Sequence, residues 1–207
     1  NATCLLSFLG AEVIKIESHT HIDQTRQGSI TTGDDFEGFN ASPIFNNANL
    51  NKKSVTINLK DPRGVELAKK IVVVSDVVVE NMRPGKMDKL GLGYNNLVKV
   101  KPDIIMISSS GFGSTGPYRK YAGYAPIFAS FGGLAYLTGY ADGEPNTGSG
   151  VMDLRVGTTA AFAILAALIH RQKTGEGQYI DLSSSECISS LIGDQLLEYT
   201  MNGRSPM

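Results

Sequence analysis

Two short apolar runs, Asp76-Val-Val-Val-Glu80 and Asp103-Ile-Ile-Met-Ile-Ser108, constrain the fold of this chain more than any other feature. Each is shorter than an ordinary helix and lacks polar alternation, which is the pattern of a strand covered on both faces in a parallel sheet. Strand and helix patterns take turns around them. Residues 2–9 read as a helix stopped at Gly10, residues 11–17 as a strand, and residues 54–58 as an alternating strand. Asp61-Pro62 joins an N-cap to a proline at the first helical position, so a helix follows to about residue 74. The spacing then predicts short helices over 87–90 and 94–100, a helix over 126–137, a long helix over 153–173, a strand over 178–182 and a last long helix over 184–201. Such alternation specifies an α/β fold: a Rossmann-like, mainly parallel sheet flanked by helices. Ligands of open sheets of this kind bind beyond the C-terminal strand ends. The loops 17–28, 81–86 and 109–124 fall there, and the polar, aperiodic segment 18–50 is long enough to be functional.

With 207 residues, 42% of them hydrophobic and 19% charged, the chain has room for a proper core. A net charge of −1 supplies no general field for nucleic acid or for an anionic membrane, and neither is an expected partner. No uninterrupted apolar run reaches bilayer length. Cys4 and Cys187 make no disulfide framework, which fits a reduced, cytoplasmic setting. The opening residues carry no signal peptide and no initiator Met, so the sequence reads as a piece of something longer.

Chemistry concentrates at Gly150-Val-Met-Asp-Leu-Arg-Val-Gly157, where a glycine-rich loop turns into the apolar run 158–169. Asp153 there reads either as a helix cap or as a nucleophilic carboxylate, and the two roles are compatible. Gly111-Phe-Gly113-Ser-Thr-Gly116 matches a dinucleotide-binding pattern, but Pro117 and the residues after it lack a helical apolar stripe. Its glycines are better explained by a tight turn and close backbone approach. His19, His21 and His170 lack partners at zinc spacing, and no metal is expected. A Gly-x-Ser-x-Gly elbow is absent. Basic residues group as Lys52-Lys53, as Arg83 with Lys86 and Lys89, and as Arg119-Lys120. Any one group alone is a solvated face, yet two of the three lie in loops at strand C-termini, where a phosphate-bearing cofactor would be drawn.

Several stretches in fixed order resemble the family III CoA-transferases, the CaiB/BaiF or formyl-CoA and carnitine CoA-transferase group. They are Leu9-Gly-Ala-Glu-Val-Ile-Lys-Ile-Glu17, Asn51-Lys-Lys-Ser-Val-Thr-Ile-Asn-Leu-Lys60, Val79-Glu-Asn-Met-Arg-Pro-Gly85, Gly111-Phe-Gly-Ser-Thr-Gly-Pro117, Gly132-Gly133 with Thr138-Gly139, the Asp153 helix and Lys173-Thr-Gly-Glu-Gly-Gln178. The resemblance implies a transferase that moves CoA between an acyl-CoA and a small carboxylic acid, with coenzyme A entering as the acyl-CoA substrate and no metal. It assigns the covalent nucleophile to Asp153 and an active-site tyrosine to Tyr124. It assigns CoA contacts to Arg26, Lys60, Asn81, Met82, Lys89 and Leu90, to which the basic loop adds Arg83 and Lys86.

It also implies a partial CoA-binding large domain over residues 1–183 and a helix over 184–207 leading out towards a small domain. The family's first strand and C-terminal half are missing, and the family's homodimers are interlocked. Ala122 and Ala125 replace residues that the formyl-CoA members carry, which speaks against formate or oxalate as the acid. The family's racemases have histidine where this chain has Tyr124. The alternatives that stay open are α-methylacyl-CoA racemase-type proton transfer and a CoA-binding fragment without turnover.

Overall fold

The computed structural model describes residues 1–27, 40, 42–140, 142–148 and 150–205. Most of the loop expected over 17–28 is therefore described, whereas a large part of segment 18–50 and the end of 184–207 lie outside the described residues. In chain order the elements are α1 (Ala2–Phe8), β1 (Val13–Glu17), α2 (Gln24–Gln27), α3 (Pro43–Ala48), β2 (Lys52–Thr56), α4 (Pro62–Val73), β3 (Val77–Glu80), α5 (Lys86–Lys89), α6 (Tyr94–Leu97), β4 (Ile105–Ser110), α7 (Ala125–Phe131), α8 (Met152–Thr174), β5 (Tyr179–Ser183), α9 (Ser184–Ser189) and, after a 3-10 turn at Ser190–Ile192, α10 (Gly193–Asn202).

Among the described residues every strand pairing is parallel, as the alternation predicts. β1 pairs with β2, Val13 opposite Lys52 and Glu17 opposite Thr56. β4 runs between β3 and β5, with Val77 opposite Ile105 and Met106 opposite Tyr179. Among the described residues these are two sheets. Parallel neighbours need crossovers, and helices supply each one.

β4 is the strand covered on both faces. Ile107 points into a core made by α1, α7, α8 and α9, with Leu6, Phe128, Val156, Ile164 and Ile188. Its neighbour Met106 points to the other face, where Ala68 and Val72 of α4 and Leu97 of α6 close over it. Ile16 of β1 and Val78 of β3 both pack on this second cluster, so the two sheets share it. The other apolar run differs from expectation. β3 is an edge of its sheet among the described residues, and Val79 is exposed.

Local chemistry fixes the helix ends. Asp61 accepts the Arg63 N–H at 2.9 Å ahead of Pro62, so α4 starts where the sequence placed it. α8 begins one residue earlier than expected. Val151 holds the N-cap position without a side-chain bond, and Asp153 lies inside the first turn. The capping role expected for Asp153 is therefore not taken up. By length and composition α8 could cross a membrane, although no single apolar run suggested it. Here Met152, Val156, Ala160, Ile164 and Ala167 form one buried face of the helix. At its far end Arg171 donates to the Asp76 carboxylate at 2.6 Å and to the carbonyls of Asp76 and Asp103, which ties α8 to the strand starts.

Three helices are shorter than expected, and the first of them, α6, ends at Leu97 rather than at residue 100. α7 stops at Phe131, before Gly132 and Gly133. The last helix is interrupted at Ser190–Ile192.

Candidate active site

The site grows from the C-terminal ends of β4 and β5. After Ser110 the chain enters the glycine-rich segment, and Gly111 meets Gly123 so closely that a Cβ on Gly111 would stand 2.5 Å from the Gly123 Cα. Two glycines are what that crossing requires. The intervening residues form a closed loop filled partly by its own side chains. Phe112, Tyr118 and Tyr121 stack on one another and, through Phe112 and Tyr118, on Phe131, with ring centroids 5.1–6.2 Å apart. Asp181 of β5 grips the loop, accepting the Ser114 N–H at 3.0 and 2.9 Å and its hydroxyl at 2.5 Å. Ser185 N–H donates to the Gly111 carbonyl at 3.0 Å. No helix follows Gly116 until Ala125, so the pyrophosphate-at-a-helix arrangement of dinucleotide sites is not built here.

The neck of this loop delivers Tyr124, which occupies the N-cap position of α7 and is exposed. Its carbonyl accepts the N–H groups of Ile127 and Phe128. Asp153 sits correspondingly in the first turn of α8. The residues that follow Tyr124 and precede Asp153, Ala125 and Met152, belong to one core cluster, so both helix starts are anchored in the same packed body. Asp153 is exposed as a residue, yet partial burial pushes its carboxyl above the ordinary value of 3.8. It has no capping bond to spend that carboxylate on.

A cleft opens on the Met106 side of the β3–β4–β5 sheet. Glu80, Met82, Tyr94, Ser110, Tyr179 and Asp181 are among its walls, and among the described residues no lysine, arginine or histidine lines it. Burial pushes the Glu80 carboxyl up, against hydrogen bonds from Ser108 and from the Met82 N–H at 2.7 Å. The Ser110 hydroxyl oxygen is buried without a partner. An uncharged group suits these walls better than a phosphate does.

The basic residues stand beside this cleft. Met82 lines it, while Asn81, Arg83, Lys86 and Lys89 are exposed in the turn after β3 and on α5, and Leu90 is partly covered. Arg26 and Lys60 belong to the other sheet's end. Lys60 Nζ is 2.6 Å from His21 Nε2. Arg26 grips Glu17 with two bonds of 2.9 Å, lies 3.5 Å above the Phe45 ring and donates to Asn40 at 2.8 Å. The structure thus brings Asn81 to Leu90 together, sets Arg26 and Lys60 at the ends of β1 and β2, and roots Tyr124 and Asp153 in a third group. Glu17, Phe45, Ser110 and Asp181 were not singled out by the sequence; only Glu17, as the last residue of a family-like motif, carried a signal. Among the described residues no three Asp, Glu, His or Cys side chains gather as metal ligands.

Parallel strands, a pinched loop at their C-terminal ends and a carboxylate in the first turn of a core helix define an α/β protein with a candidate site at its strand ends. The profile of CoA-transferase family III matches residues 1–207, and the chain belongs to that family. It is 42% identical over 201 residues to the succinyl-CoA:glutarate CoA-transferase of Homo sapiens, covering 95% of this chain and 45% of that protein. It is 37% identical over 205 residues to the succinate–glutarate CoA-transferase of Agrobacterium fabrum, covering 98% and 51%. The solved CAIB/BAIF family protein from Brucella suis superposes with a TM-score of 0.89 at 37% identity, over 97% of this chain and 53% of that one. The chain therefore spans about half the length of the relatives it matches.

Proposed function

We propose that the protein moves CoA between an acyl-CoA thioester and a carboxylic acid through a covalent intermediate on Asp153. The observation that carries this is the Asp153 carboxylate, placed in the first turn of a core helix, relieved of any capping duty and partly desolvated. Membership of CoA-transferase family III supports it. The carboxylate oxygen attacks the thioester carbonyl carbon, the C–S bond breaks, and a mixed anhydride and the CoA thiolate result. The thiolate attacks the Asp153 carbonyl carbon, the donor acid leaves as a carboxylate, and Asp153 carries CoA as a thioester. An acceptor carboxylate then repeats the two steps in reverse order and restores Asp153. Each step exchanges one activated acyl bond for another of similar energy, and none needs a metal. Partial burial leaves the carboxylate less solvated and so more nucleophilic.

Tyr124 contacts the reacting acyl group in this scheme. Asn81, Met82, Arg83, Lys86, Lys89 and Leu90, with Arg26 and Lys60, hold the nucleotide end of CoA. The cations among them, Arg26 included, take its phosphates, and the acidic cleft, which repels phosphate, takes an uncharged part. Relatives are named for succinate, glutarate and malate, so a dicarboxylic acid is the proposed acceptor class. Residues 1–183 form the CoA-binding domain, α9 packs into its core through Ile188, and α10 is the part that leads away from it, in a protein that works as a homodimer.

The test is direct. The protein, at the full length its gene encodes, is given succinyl-CoA and glutarate, and glutaryl-CoA is followed by liquid chromatography. Its formation in step with free succinate is the expected result. Binding of CoA without any exchange, across a panel of dicarboxylates, would contradict the reading.

A further inference from the structure

The side chain that the proposed function gives to a CoA phosphate, Arg26, is held from three directions by described residues alone. Its Nε and Nη2 donate in parallel to the two Glu17 oxygens, both at 2.9 Å. Its guanidinium plane lies 3.5 Å from the centroid of the buried Phe45 ring. Nη1 donates to Asn40 Oδ1 at 2.8 Å. Glu17 is itself fixed, because Ser54 of β2 donates to its Oε2 at 2.6 Å. The two charged side chains are only 15% and 12% exposed, so this is a sheltered fork-to-fork pair rather than a passing surface contact. The Arg26 hydrogen bond is the main reason the Glu17 carboxyl lies below its ordinary value.

Resting on the reading that Arg26 contacts a phosphate of CoA, we propose that Glu17 is the positioning residue for that contact: it holds the Arg26 guanidinium, against the Phe45 ring, in the orientation in which it meets the phosphate. A free arginine side chain carries large rotamer entropy, and binding must remove it. The Glu17 pair and the Phe45 ring remove it beforehand. Glu17 also brings a negative charge close to the phosphate, which taken alone weakens binding. Positioning and repulsion therefore predict opposite signs, and a double-mutant cycle separates them.

The experiment measures calorimetric affinity for CoA and for 3′-dephospho-CoA in the parent protein, E17Q, R26A and E17Q/R26A, at the full length the gene encodes. Circular dichroism melts accompany each variant, and S54A serves as a milder perturbation of Glu17. E17Q should weaken CoA binding about tenfold, while in the R26A background the same change should have no weakening effect. The ligand that loses affinity in R26A, whether both or only CoA, identifies the diphosphate or the 3′-phosphate as the group held, and E17Q should follow the same profile. Equal weakening by E17Q in both backgrounds would overturn the proposal, as would tighter binding in E17Q alone or an R26A variant with unchanged affinity. If E17Q does not fold, S54A decides the matter by the same cycle with R26A. A parent protein that binds neither ligand contradicts the proposed function itself, not the bracing of Arg26.

Discussion

Gly111 and Gly123 cross backbone against backbone, at a separation that leaves no space for a Cβ on either. This contact closes the neck of the loop between β4 and α7, and Tyr124 follows it directly. Replacing Gly111 or Gly123 with alanine should cost about 1–3 kcal/mol, since neither partner is a flexible side chain that can give way. Urea denaturation measures the cost. In the same variants Tyr124 is displaced, so turnover should fall even well below the unfolding midpoint. Parent-like stability and turnover in both would mean that the neck opens freely in solution.

Asp153 should contribute nothing to stability through capping. D153A is expected to change the unfolding free energy by less than about 0.5 kcal/mol, where a lost cap would cost about 1 kcal/mol. D153N should be as stable as the parent or more so. The sign follows from the upward shift of the folded-state value, whose cause is burial. Folding disfavours the ionised form, so the cost is absent below the ordinary 3.8 and complete once the pH has passed the raised value. The stability gap between D153N and the parent should widen as pH rises through that interval. A gap that narrows there would reverse the assignment.

The Lys15–Asp23 pair predicts the opposite pH behaviour. Burial pushes the Asp23 carboxyl up, but bonds from Lys15 at 2.8 Å and from Thr25 overcome it and hold the carboxyl at about 2. A depressed value means that the stabilisation is present above pH 4 or so and is lost as the pH falls towards 2. Allowing for solvent screening of a partly exposed pair, D23N should cost about 1 kcal/mol at neutral pH and progressively less in acid. Denaturation midpoints of parent and variant at several pH values would show whether the curves converge.

Arg171 joins the end of α8 to the starts of β3 and β4 through hydrogen bonds to the Asp76 carboxylate and to two carbonyls and through an ion pair with the Asp103 carboxylate at 3.6 Å. R171M should lose about 2 kcal/mol, and R171K should recover little of it, because one ammonium cannot reproduce the planar fork. Equilibrium unfolding in urea checks both, and a parent-like R171K would contradict the account.

What the sequence disclosed was whatever local chemistry decides. Asp61 and Pro62 start α4 because a cap and a fixed φ act within one turn. The parallel pairing followed from apolar runs alternating with helices. Where partners lie far apart in the chain, the sequence was less legible. β4 runs on through Ser109 and Ser110, which look like loop, because they pair with Leu182 and Ser183. The last helix breaks at Ser190, whose hydroxyl turns back to the Cys187 carbonyl at 2.7 Å, a competition no periodicity reveals. Two sheets, not one, appear among the described residues, and strand order has no local signature. At the site, Asp153 was legible as a carboxylate at a helix start, but its freedom from capping depended on the helix beginning one residue earlier, at Met152, with Val151 in the N-cap position. The Glu17–Arg26 pair was hidden, since only the fold brings the end of β1 against α2.

The central claim is that Asp153 carries CoA. The protein, at the full length its gene encodes, is incubated with succinyl-CoA without an acceptor acid, treated with hydroxylamine and digested, and the peptide spanning Asp153 is weighed. Asp153 should be recovered as its hydroxamate, in a yield that depends on succinyl-CoA and falls when a large excess of glutarate is present. D153N should fold, bind CoA and give no modified peptide, with transfer reduced by several orders of magnitude because an amide cannot form the anhydride. An unmodified Asp153 peptide during active transfer, or substantial transfer by D153N, would contradict the mechanism.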